Sequence, residues 1–192
     1  RKLSVNTKLS KLIEKFEPYG EFYLVGGCVR NQYLNIPIKD YDIATPLTPT
    51  ELQEKLPGYV KHINSAQAYP VVLWDGHEIA TFRTDGKDRK DAEGIKLGCS
   101  IYKDAMRRDF TMNAIYYKLT KHSARVVDPT QRGLNDIKNR IIRFVGNPEE
   151  RIKEDPIRIF RAYRFLSQLS DFVVEIETEK ALKRALQRVS FK

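Results

Sequence analysis

The chain has 192 residues and a formal net charge of +9, with 34 lysines and arginines against 25 acidic residues. Hydrophobic residues make up 41% of it, which allows a folded core and excludes a disordered chain. No apolar run approaches the roughly 20 residues of a membrane span, and the two cysteines fit neither a zinc site nor a disulfide framework. The basic excess favours a polyanionic partner, such as nucleic acid, nucleotide or an acidic membrane surface. The basic first residues lack the apolar segment of a signal peptide, so a cytoplasmic location is expected.

The start of the chain predicts a helix, a strand, a glycine turn and a second helix. Apolar residues at helical spacing predict an amphipathic helix over residues 8–16. The apolar run 21–25 predicts a buried strand, which Gly26 and Gly27 end before a helical segment at 28–34.

The next part of the chain predicts a strand beginning in residues 39–44 and a short helix at 50–56. Three strand-like runs follow, and Asp75-Gly76 between the last two is a strong hairpin signal. These runs are residues 59–63, 69–74 and 77–83.

The second half of the chain changes character near residue 146. The polar segment 84–94 predicts a solvated loop, with a functional lid as the alternative. Residues 100–108 predict a helix and 113–119 a strand. From residue 151 onward the spacing is helical, so an α/β part is expected to give way to an all-helical part.

Two glycines followed by an Asp-Tyr-Asp sequence form the first pattern with chemical meaning. Gly26 and Gly27, between a strand and a helix, let a phosphate approach the backbone, and Arg30 can pair with that phosphate. Asp40 and Asp42 would project from one face of a strand, where two close carboxylates repel unless a cation lies between them. The pattern indicates a magnesium site, and a solvated turn carrying two acids is the alternative.

Resemblance to a known family begins with these residues. The sequence of residues 24–45, LVGGCVRNQYLNIPIKDYDIAT, resembles the first signature of the DNA polymerase β nucleotidyltransferase superfamily. More narrowly, it resembles the bacterial-type (class II) tRNA nucleotidyltransferases, or CCA-adding enzymes, and the related poly(A) polymerases. Residues 77–86, HEIATFRTDG, are similar to the family's later strand, so the resemblance implies that Glu78 is the third carboxylate.

Two further segments continue the resemblance in the family's order. Residues 107–114, RRDFTMNA, are similar to the motif that contacts the ribose, which implies Asp109 and Asn113 for ribose and phosphate and Arg108 for the triphosphate. From the residues alone, the alternatives are an exposed basic helix end for Arg107 and Arg108, a cap for Asp109, and a buried hydrogen-bonding residue on a strand for Asn113. A spaced motif of the head–neck junction follows, and its acids are expected to be structural: Asp128, Gly133, Asp136 and Arg143.

The fifth segment, residues 154–158 (EDPIR), resembles the family's base-recognition motif, which implies Glu154, Asp155 and Arg158. Aspartate accepts from the exocyclic amino group of cytosine or adenine, and arginine donates to the adjacent ring nitrogen. The alternative for Asp155 is a helix N-cap with proline at N1. Arg161 and Arg164 continue the basic helix, toward the nucleotide or as a solvated face.

The resemblance implies an α/β head domain (residues 1–146) with a mixed sheet of about five strands, and the start of an all-α neck (147–192). It implies that body and tail domains are absent from this chain. The implied enzyme adds C and A to the 3′ end of tRNA from CTP and ATP, using two Mg²⁺ ions held by Asp40 and Asp42. CC-only addition, A-only addition and polyadenylation share these motifs and stay open as alternatives. A non-catalytic RNA-binding relic and a small-molecule nucleotidyltransferase fit the five segments less well.

Overall fold

The computed structural model describes residues 6–64, 70–85 and 94–189. Its helices are α1 (Thr7–Phe16), α2 (Gly27–Tyr33), α3 (Pro49–Lys55), α4 (Ile101–Met106), α5 (Gly133–Lys138), α6 (Pro148–Glu154), α7 (Ile157–Gln168) and α8 (Ile176–Val189), with short 3₁₀ turns at Glu17–Tyr19 and Thr111–Asn113. Its strands are β1 (Tyr23–Val25), β2 (Ile43–Thr45), β3 (Val60–Asn64), β4 (Pro70–Trp74), β5 (His77–Thr81), β6 (Tyr116–Lys118), β7 (Val126–Val127), β8 (Ile141–Ile142) and β9 (Val173–Val174).

Within these described ranges, seven strands form one mixed sheet in the order β3-β4-β5-β2-β1-β6-β7. The β2–β5 pair is parallel, and the other neighbours are antiparallel. The α/β class is therefore confirmed, although the sheet has seven strands where about five were expected. The outermost strand on one side, β7, has two residues, which is too short for period-two alternation to reveal.

The β4–β5 hairpin confirms the prediction made from Asp75 and Gly76. Both residues have positive φ, at 46° and 78°, as a two-residue type I′ loop requires. The loop joins Trp74 to His77, which face each other in the antiparallel register.

Two predicted strands begin later than expected. The segment 39–44 becomes a strand only at Ile43, because its antiparallel partner β1 ends at Val25. The segment 113–119 becomes a strand at Tyr116. Asn113 lies instead in a 3₁₀ turn, where its N–H donates to the carbonyl of Phe110 over 3.0 Å.

The two faces of the sheet carry different apolar clusters. The main core covers one face and includes Leu24, Ile43 and Ile79. A smaller cluster covers the opposite face, hereafter the second face, and includes Ala44, Phe82, Ala105 and Tyr116. Alternation of side chains along the strands explains this division. Because Ala105 belongs to α4, that helix packs on the second face.

The helical segment after residue 147 contains α6, α7 and α8, as expected, but it also contains β9. The residues Val173 and Val174 pair in parallel with Ile141 and Ile142, so the segment is not wholly helical. The proposed division at residue 146 stays a prediction. None of the helices in the described ranges has the length and hydropathy that crossing a membrane requires. Most of the predicted loop 84–94 lies outside the described residues.

Candidate active site

The predicted acidic residues Asp40, Asp42 and Glu78, hereafter the carboxylate cluster, meet at the second face. In the parallel β2–β5 pair, Ile43 lies opposite Ile79. Asp42 and Glu78 each precede one of these core residues, so they point away from the main core. Neighbouring strands lie about 4.8 Å apart, which brings the two carboxylates near one another.

The position of Asp40 and Asp42 corrects one step of the sequence interpretation. Both lie in the extended segment that precedes β2, rather than on the strand itself. The carbonyl of Asp42 still accepts a hydrogen bond from Val25 N–H over 3.1 Å, so strand-like pairing extends one residue beyond β2. Asp40 nevertheless adds its negative charge to the environment of Asp42. The two acids therefore come together, although a strand does not hold both.

The electrostatic environment of Asp42 suits a bound cation. The pKa of Asp42 is raised chiefly because neighbouring protein atoms remove part of its hydration. The positive charge of Arg108 opposes this rise in pKa, and the negative charges of Asp40 and Glu78 add to it. All three acids are exposed, so a cation and its waters can reach them. A divalent cation among them would offset their mutual repulsion.

Cation binding by this cluster would depend on additional ligands. Among the described residues, no group of three or more His, Cys, Asp and Glu side chains forms a site that could hold a metal by itself. Magnesium takes one or two protein carboxylates and completes its shell with water and substrate phosphate. The chemistry of the carboxylate cluster fits that kind of site better than a site made wholly of protein ligands.

The glycine turn lies directly against the carboxylate cluster. Gly26 has φ of +80°, which favours glycine, and a Cβ there would lie 3.4 Å from Oδ2 of Asp42. Gly27 begins α2, and a Cβ there would lie 3.2 Å from Nη2 of Arg30. A side chain at either position would enter the space between the cluster and Arg30. The predicted strand, glycine turn and helix unit is confirmed.

Four of the predicted residues form one hydrogen-bonded series, hereafter the arginine chain: Arg30, Asn113, Asp109 and Arg161. Arg30 Nη1 donates to Asn113 Oδ1 over 2.6 Å, and Asn113 Nδ2 donates to Asp109 Oδ1 over 3.3 Å. Arg161 Nε donates to Asp109 Oδ2 over 2.6 Å. The arginine chain therefore links α2, next to the glycine turn, to α7 in the helical segment.

Phe165 joins the two ends of the arginine chain. The centre of its ring lies 5.0 Å from the Arg30 guanidinium carbon and 5.4 Å from that of Arg161. Both distances fall within the range of cation–π attraction. Sequence reasoning placed Phe165 only as an apolar residue of a helix. Helical spacing gives no sign of such a contact, because Arg30 is distant in sequence.

Arg108, predicted to contact a triphosphate, is held by two buried side chains. Its Nη2 donates to Asp104 Oδ2 over 3.1 Å, and its Nε donates to the Tyr116 hydroxyl over 3.0 Å. Arg107 Nε donates to the other oxygen of Asp104 over 3.2 Å. Sequence reasoning missed Asp104. Its spacing of three and four residues from the arginines, which places them on one helical face, could have revealed it.

The predicted base-recognition residues lie where α6 meets α7. Arg158 is buried, and its guanidinium donates to Glu154 Oε2 over 2.9 Å and to the Arg107 carbonyl over 2.6 Å. Asp155 Oδ1 accepts from Ile157 N–H over 3.2 Å, a bond of the capping kind, although Pro156 rather than Asp155 is the N-cap of α7. This bond ties the carboxylate of Asp155 to the first turn of α7, and the role of Asp155 in base recognition stays a prediction.

The remaining predicted residues separate into an exposed arginine and structural acids. Arg164 lies on the exposed side of α7, near Phe160, whose side chain is 73% exposed. Asp128 accepts hydrogen bonds from the N–H groups of Gly133 and Leu134 at the start of α5, which agrees with the structural role expected for it. Asp136, buried on α5, accepts from Thr111 over 2.6 Å, which agrees with the structural role expected for it.

A cleft of about 580 Å³ opens elsewhere, between residues 143–149 and α8. Arginine and glutamate side chains line it, among them Arg143, Arg184 and Glu175. None of its lining residues belongs to the predicted site. The carboxylate cluster with the adjacent glycine turn and Arg108, rather than this cleft, identifies the candidate active site.

A model of the poly(A) polymerase head domain matches residues 22–143. The chain belongs to this family. The match begins just before β1 and includes the carboxylate cluster, the glycine turn and Asp109. The residues of α6 and α7 lie beyond it.

Several relatives and solved structures that resemble the chain are CCA-adding enzymes. One from Ligilactobacillus salivarius is 39% identical over 92% of this chain and 44% of its own length. The structure of the Bacillus stearothermophilus enzyme in complex with CTP superposes with a TM-score of 0.71 at 37% identity, over 90% of this chain and 41% of that one. The Thermotoga maritima enzyme complexed with tRNA gives 0.70 at 29% identity, over 98% and 46%. The chain thus spans less than half the length of the proteins that it resembles.

Proposed function

We propose that the protein containing this chain is a tRNA nucleotidyltransferase that adds C and A to the tRNA 3′ end without a template, using CTP and ATP and releasing pyrophosphate. The observation that carries this proposal is the grouping of the carboxylate cluster with the glycine turn beside Asp42 and with Arg108, whose guanidinium is already fixed by Asp104 and Tyr116. The similarity to CCA-adding enzymes supports the choice of tRNA as substrate.

Asp40 and Asp42 are proposed to hold two Mg²⁺ ions, with Glu78 completing or orienting the cluster. Bound there, the ions would lower the pKa of the primer's 3′-hydroxyl and neutralise the departing pyrophosphate. Gly26 and Gly27 leave room for the triphosphate beside the cluster. Arg30, next to Gly27, and Arg108, whose charge acts on Asp42, would supply positive charge to the triphosphate.

The arginine chain is proposed to bind the ribose and phosphates. Both oxygens of Asp109 accept hydrogen bonds, from Asn113 and from Arg161. A ribose hydroxyl that bonds to Asp109 would therefore join an ordered network, or displace one of these donors. Because the arginine chain runs from α2 to α7, it would hold a nucleotide bound near α2 at a fixed position relative to α7.

Base selection is proposed to rest on Asp155 and Arg158, with Glu154 orienting Arg158. The guanidinium of Arg158 is fixed by Glu154 and by the carbonyls of Arg151 and Arg107. Cytosine and adenine match an acceptor from aspartate and a donor from arginine, whereas uracil and guanine present the reverse pattern. A buried polar pair left unmatched by the wrong base can reject it by about 10⁴–10⁵.

Contact with RNA is proposed to involve the exposed side of α7. Arg164 supplies charge there, and the exposed ring of Phe160 supplies a flat apolar surface on which a base can stack. The net charge of +9 favours phosphate contacts, which weaken as the salt concentration rises.

The test is to supply labelled CTP and ATP, separately and together, to tRNA that lacks its 3′ end, and to size the products at nucleotide resolution. Addition of CCA is the expected result. Addition of CC, of a single A or of a long A tail would each replace the proposal with the corresponding related activity. Failure of the full-length protein to extend any primer would contradict nucleotidyl transfer itself.

A further inference from the structure

The buried carboxylate of Asp104 lies at the centre of a charged network beside the candidate site. Its side chain is inaccessible to solvent. Oδ1 accepts from Arg83 N–H over 3.0 Å and from Arg107 Nε over 3.2 Å. Oδ2 accepts from Arg108 Nη2 over 3.1 Å and from the Tyr116 hydroxyl over 2.5 Å. Both oxygens are therefore saturated, and the carboxylate is held in one orientation.

The charges of this network do not cancel. One carboxylate faces the two guanidinium groups of Arg107 and Arg108, which leaves an excess positive charge in a largely buried place. Burial of like charges is costly unless they are paired, and a fold that needed only a satisfied Asp104 would need a single arginine. The excess charge indicates a role beyond packing.

The excess charge is directed toward the carboxylate cluster. Arg108 lies close enough to Asp42 for the two opposite charges to attract each other. The network also lies on the second face, where Tyr116 packs against Phe82 with ring centres 5.7 Å apart. This is the face from which Asp42 and Glu78 project.

The same network reaches the proposed base-recognition helix. The carbonyl of Arg107 accepts from Arg158 Nη2 over 2.6 Å. Asp104 holds the Arg107 side chain, so it stabilises the turn after α4 that presents this carbonyl. One buried carboxylate thus lies between the groups proposed to meet the triphosphate and those proposed to meet the base.

Loss of the negative charge at Asp104 would release Arg108. A free guanidinium beside three exposed carboxylates would pair with them, because the attraction is no longer offset by Asp104. Such a pair would compete with a divalent cation for the same oxygens. It would also take Arg108 away from the position in which it meets an incoming triphosphate.

We propose that Asp104 is a positioning residue for nucleotidyl transfer, which fixes Arg108 beside the carboxylate cluster and keeps its guanidinium from occupying that cluster. The inference rests on the proposed function. Tyr116 assists, because its hydroxyl donates to Asp104 and accepts from Arg108.

The test compares Asp104→Asn with the unaltered full-length protein in KM for ATP, kcat and the Mg²⁺ concentration for half-maximal rate. Hydrogen bonds to charged groups are strong enough that their loss should raise the KM for ATP by about tenfold or more. The Mg²⁺ requirement should rise severalfold as well. Tyr116→Phe, which keeps the charge and the ring, should shift both quantities in the same direction by a smaller factor.

Asp136→Asn is the matched control. Asp136 is also buried and paired with an arginine, Arg143, over 3.0 Å, and its described hydrogen-bond partners, Arg143 and Thr111, are not among the residues proposed to bind nucleotide or metal. The Asp136→Asn substitution should lower the melting temperature while leaving the KM for ATP and the Mg²⁺ requirement unchanged.

An Asp104→Asn protein with unaltered KM and Mg²⁺ requirement would overturn the proposal, even if it melted earlier. If that variant does not fold, unchanged values in Tyr116→Phe would overturn it in the same way. Absence of transfer by the unaltered protein would contradict the proposed function alone. In that case, equal dissociation constants of Mg²⁺–ATP for unaltered protein and Tyr116→Phe would overturn the role of the network, and a weaker Tyr116→Phe complex would support it.

Discussion

The acidic and the basic residues of the candidate site are held in different ways. Asp40, Asp42 and Glu78 are exposed, and they meet through the register of two strands. Arg30 and Arg158 are buried, and protein acceptors already bind their guanidinium groups. The acids are thus open to a ligand, whereas the arginines are oriented before any ligand arrives.

This difference follows from what each group is proposed to bind. A metal ion exchanges its waters and phosphates during the reaction, so its protein ligands must stay accessible. A triphosphate or a base is recognised through hydrogen bonds of defined direction. An arginine already fixed by protein acceptors loses less side-chain entropy when it forms them. The acids should therefore contribute to chemistry at some cost in stability, and the arginines should contribute to binding and selectivity.

The largest expected effect is on the acidic side. Asp42→Asn should reduce nucleotide addition by about three orders of magnitude or more, because metal ions contribute several kcal/mol to transition-state stabilisation. The rate of labelled nucleotide incorporation under single-turnover conditions measures it. Asp75→Asn, at an exposed hairpin acid paired with Lys15, should retain full activity. Full activity of a metal-checked Asp42→Asn protein would contradict the assignment.

The next effect separates the two roles of Asp155. Asparagine also caps helices, so Asp155→Asn keeps the acceptor for Ile157 N–H while it replaces the other carboxylate oxygen with a donor. If Asp155 reads the base, the preference for CTP and ATP over UTP and GTP should fall by about a hundredfold or more. Ratios of kcat/KM for the four nucleotides measure this preference. Unchanged ratios in Asp155→Asn would leave capping as the role of Asp155. The Asp155→Ala variant, which removes both functions, should also broaden nucleotide use.

A smaller effect is expected at the arginine chain. Arg161→Lys keeps the charge beside Asp109 but loses the planar contact with Phe165, so the KM for nucleotide should rise by about tenfold. Arg140→Lys is the matched control, since Arg140 also pairs with an aspartate, Asp171, and lies over an aromatic ring. Steady-state KM values compare the two variants. Equal changes in both would show that the effect does not arise from the site.

The smallest effect concerns stability in the absence of metal. Because the pKa of Asp42 is raised, the folded protein holds this proton more tightly than the unfolded chain does. The contribution of Asp42 to the free energy of unfolding therefore falls as pH rises through the range just above the ordinary pKa of aspartate. In a chelator, Asp42→Asn should melt about 1–2 °C higher than the unaltered protein at neutral pH, a small shift because solvent screens an exposed group.

The same measurement has a clear pH signature. The advantage of Asp42→Asn should disappear at the acidic end of that range, where the unaltered carboxyl is protonated. Melting curves recorded across pH in the presence of a chelator measure it. A lower melting temperature than that of the unaltered protein at neutral pH would show that ionised Asp42 stabilises the fold.

The sequence was most informative where function depends on local order along the chain. Gly26 and Gly27 were placed correctly between a strand and a helix, because such a turn is defined by adjacent residues. Asp40 and Asp42 were placed on a strand that begins only at Ile43, because the length of a strand depends on partners elsewhere in the sheet. Neither periodicity nor motif spacing reports how far β1 extends beside them.

Long-range contacts of buried charges were the part that could not be predicted. The contact between Arg30 and Asn113 joins residues 83 positions apart, and no local pattern encodes it. Asp104 differs, since it lies on the same helical face as Arg107 and Arg108 and was detectable in principle. It was missed because an acid before two arginines also fits an exposed, solvated helix.

The most direct test of the proposed metal site is to measure metal binding by the carboxylate cluster. Mn²⁺ can substitute for Mg²⁺ and can be followed by electron paramagnetic resonance during titration of the full-length protein with a non-hydrolysable ATP analogue. Nucleotide-dependent Mn²⁺ binding is expected, weakened in Asp42→Asn and preserved in Asp75→Asn. Equal Mn²⁺ binding by unaltered protein and Asp42→Asn would contradict the proposed metal site.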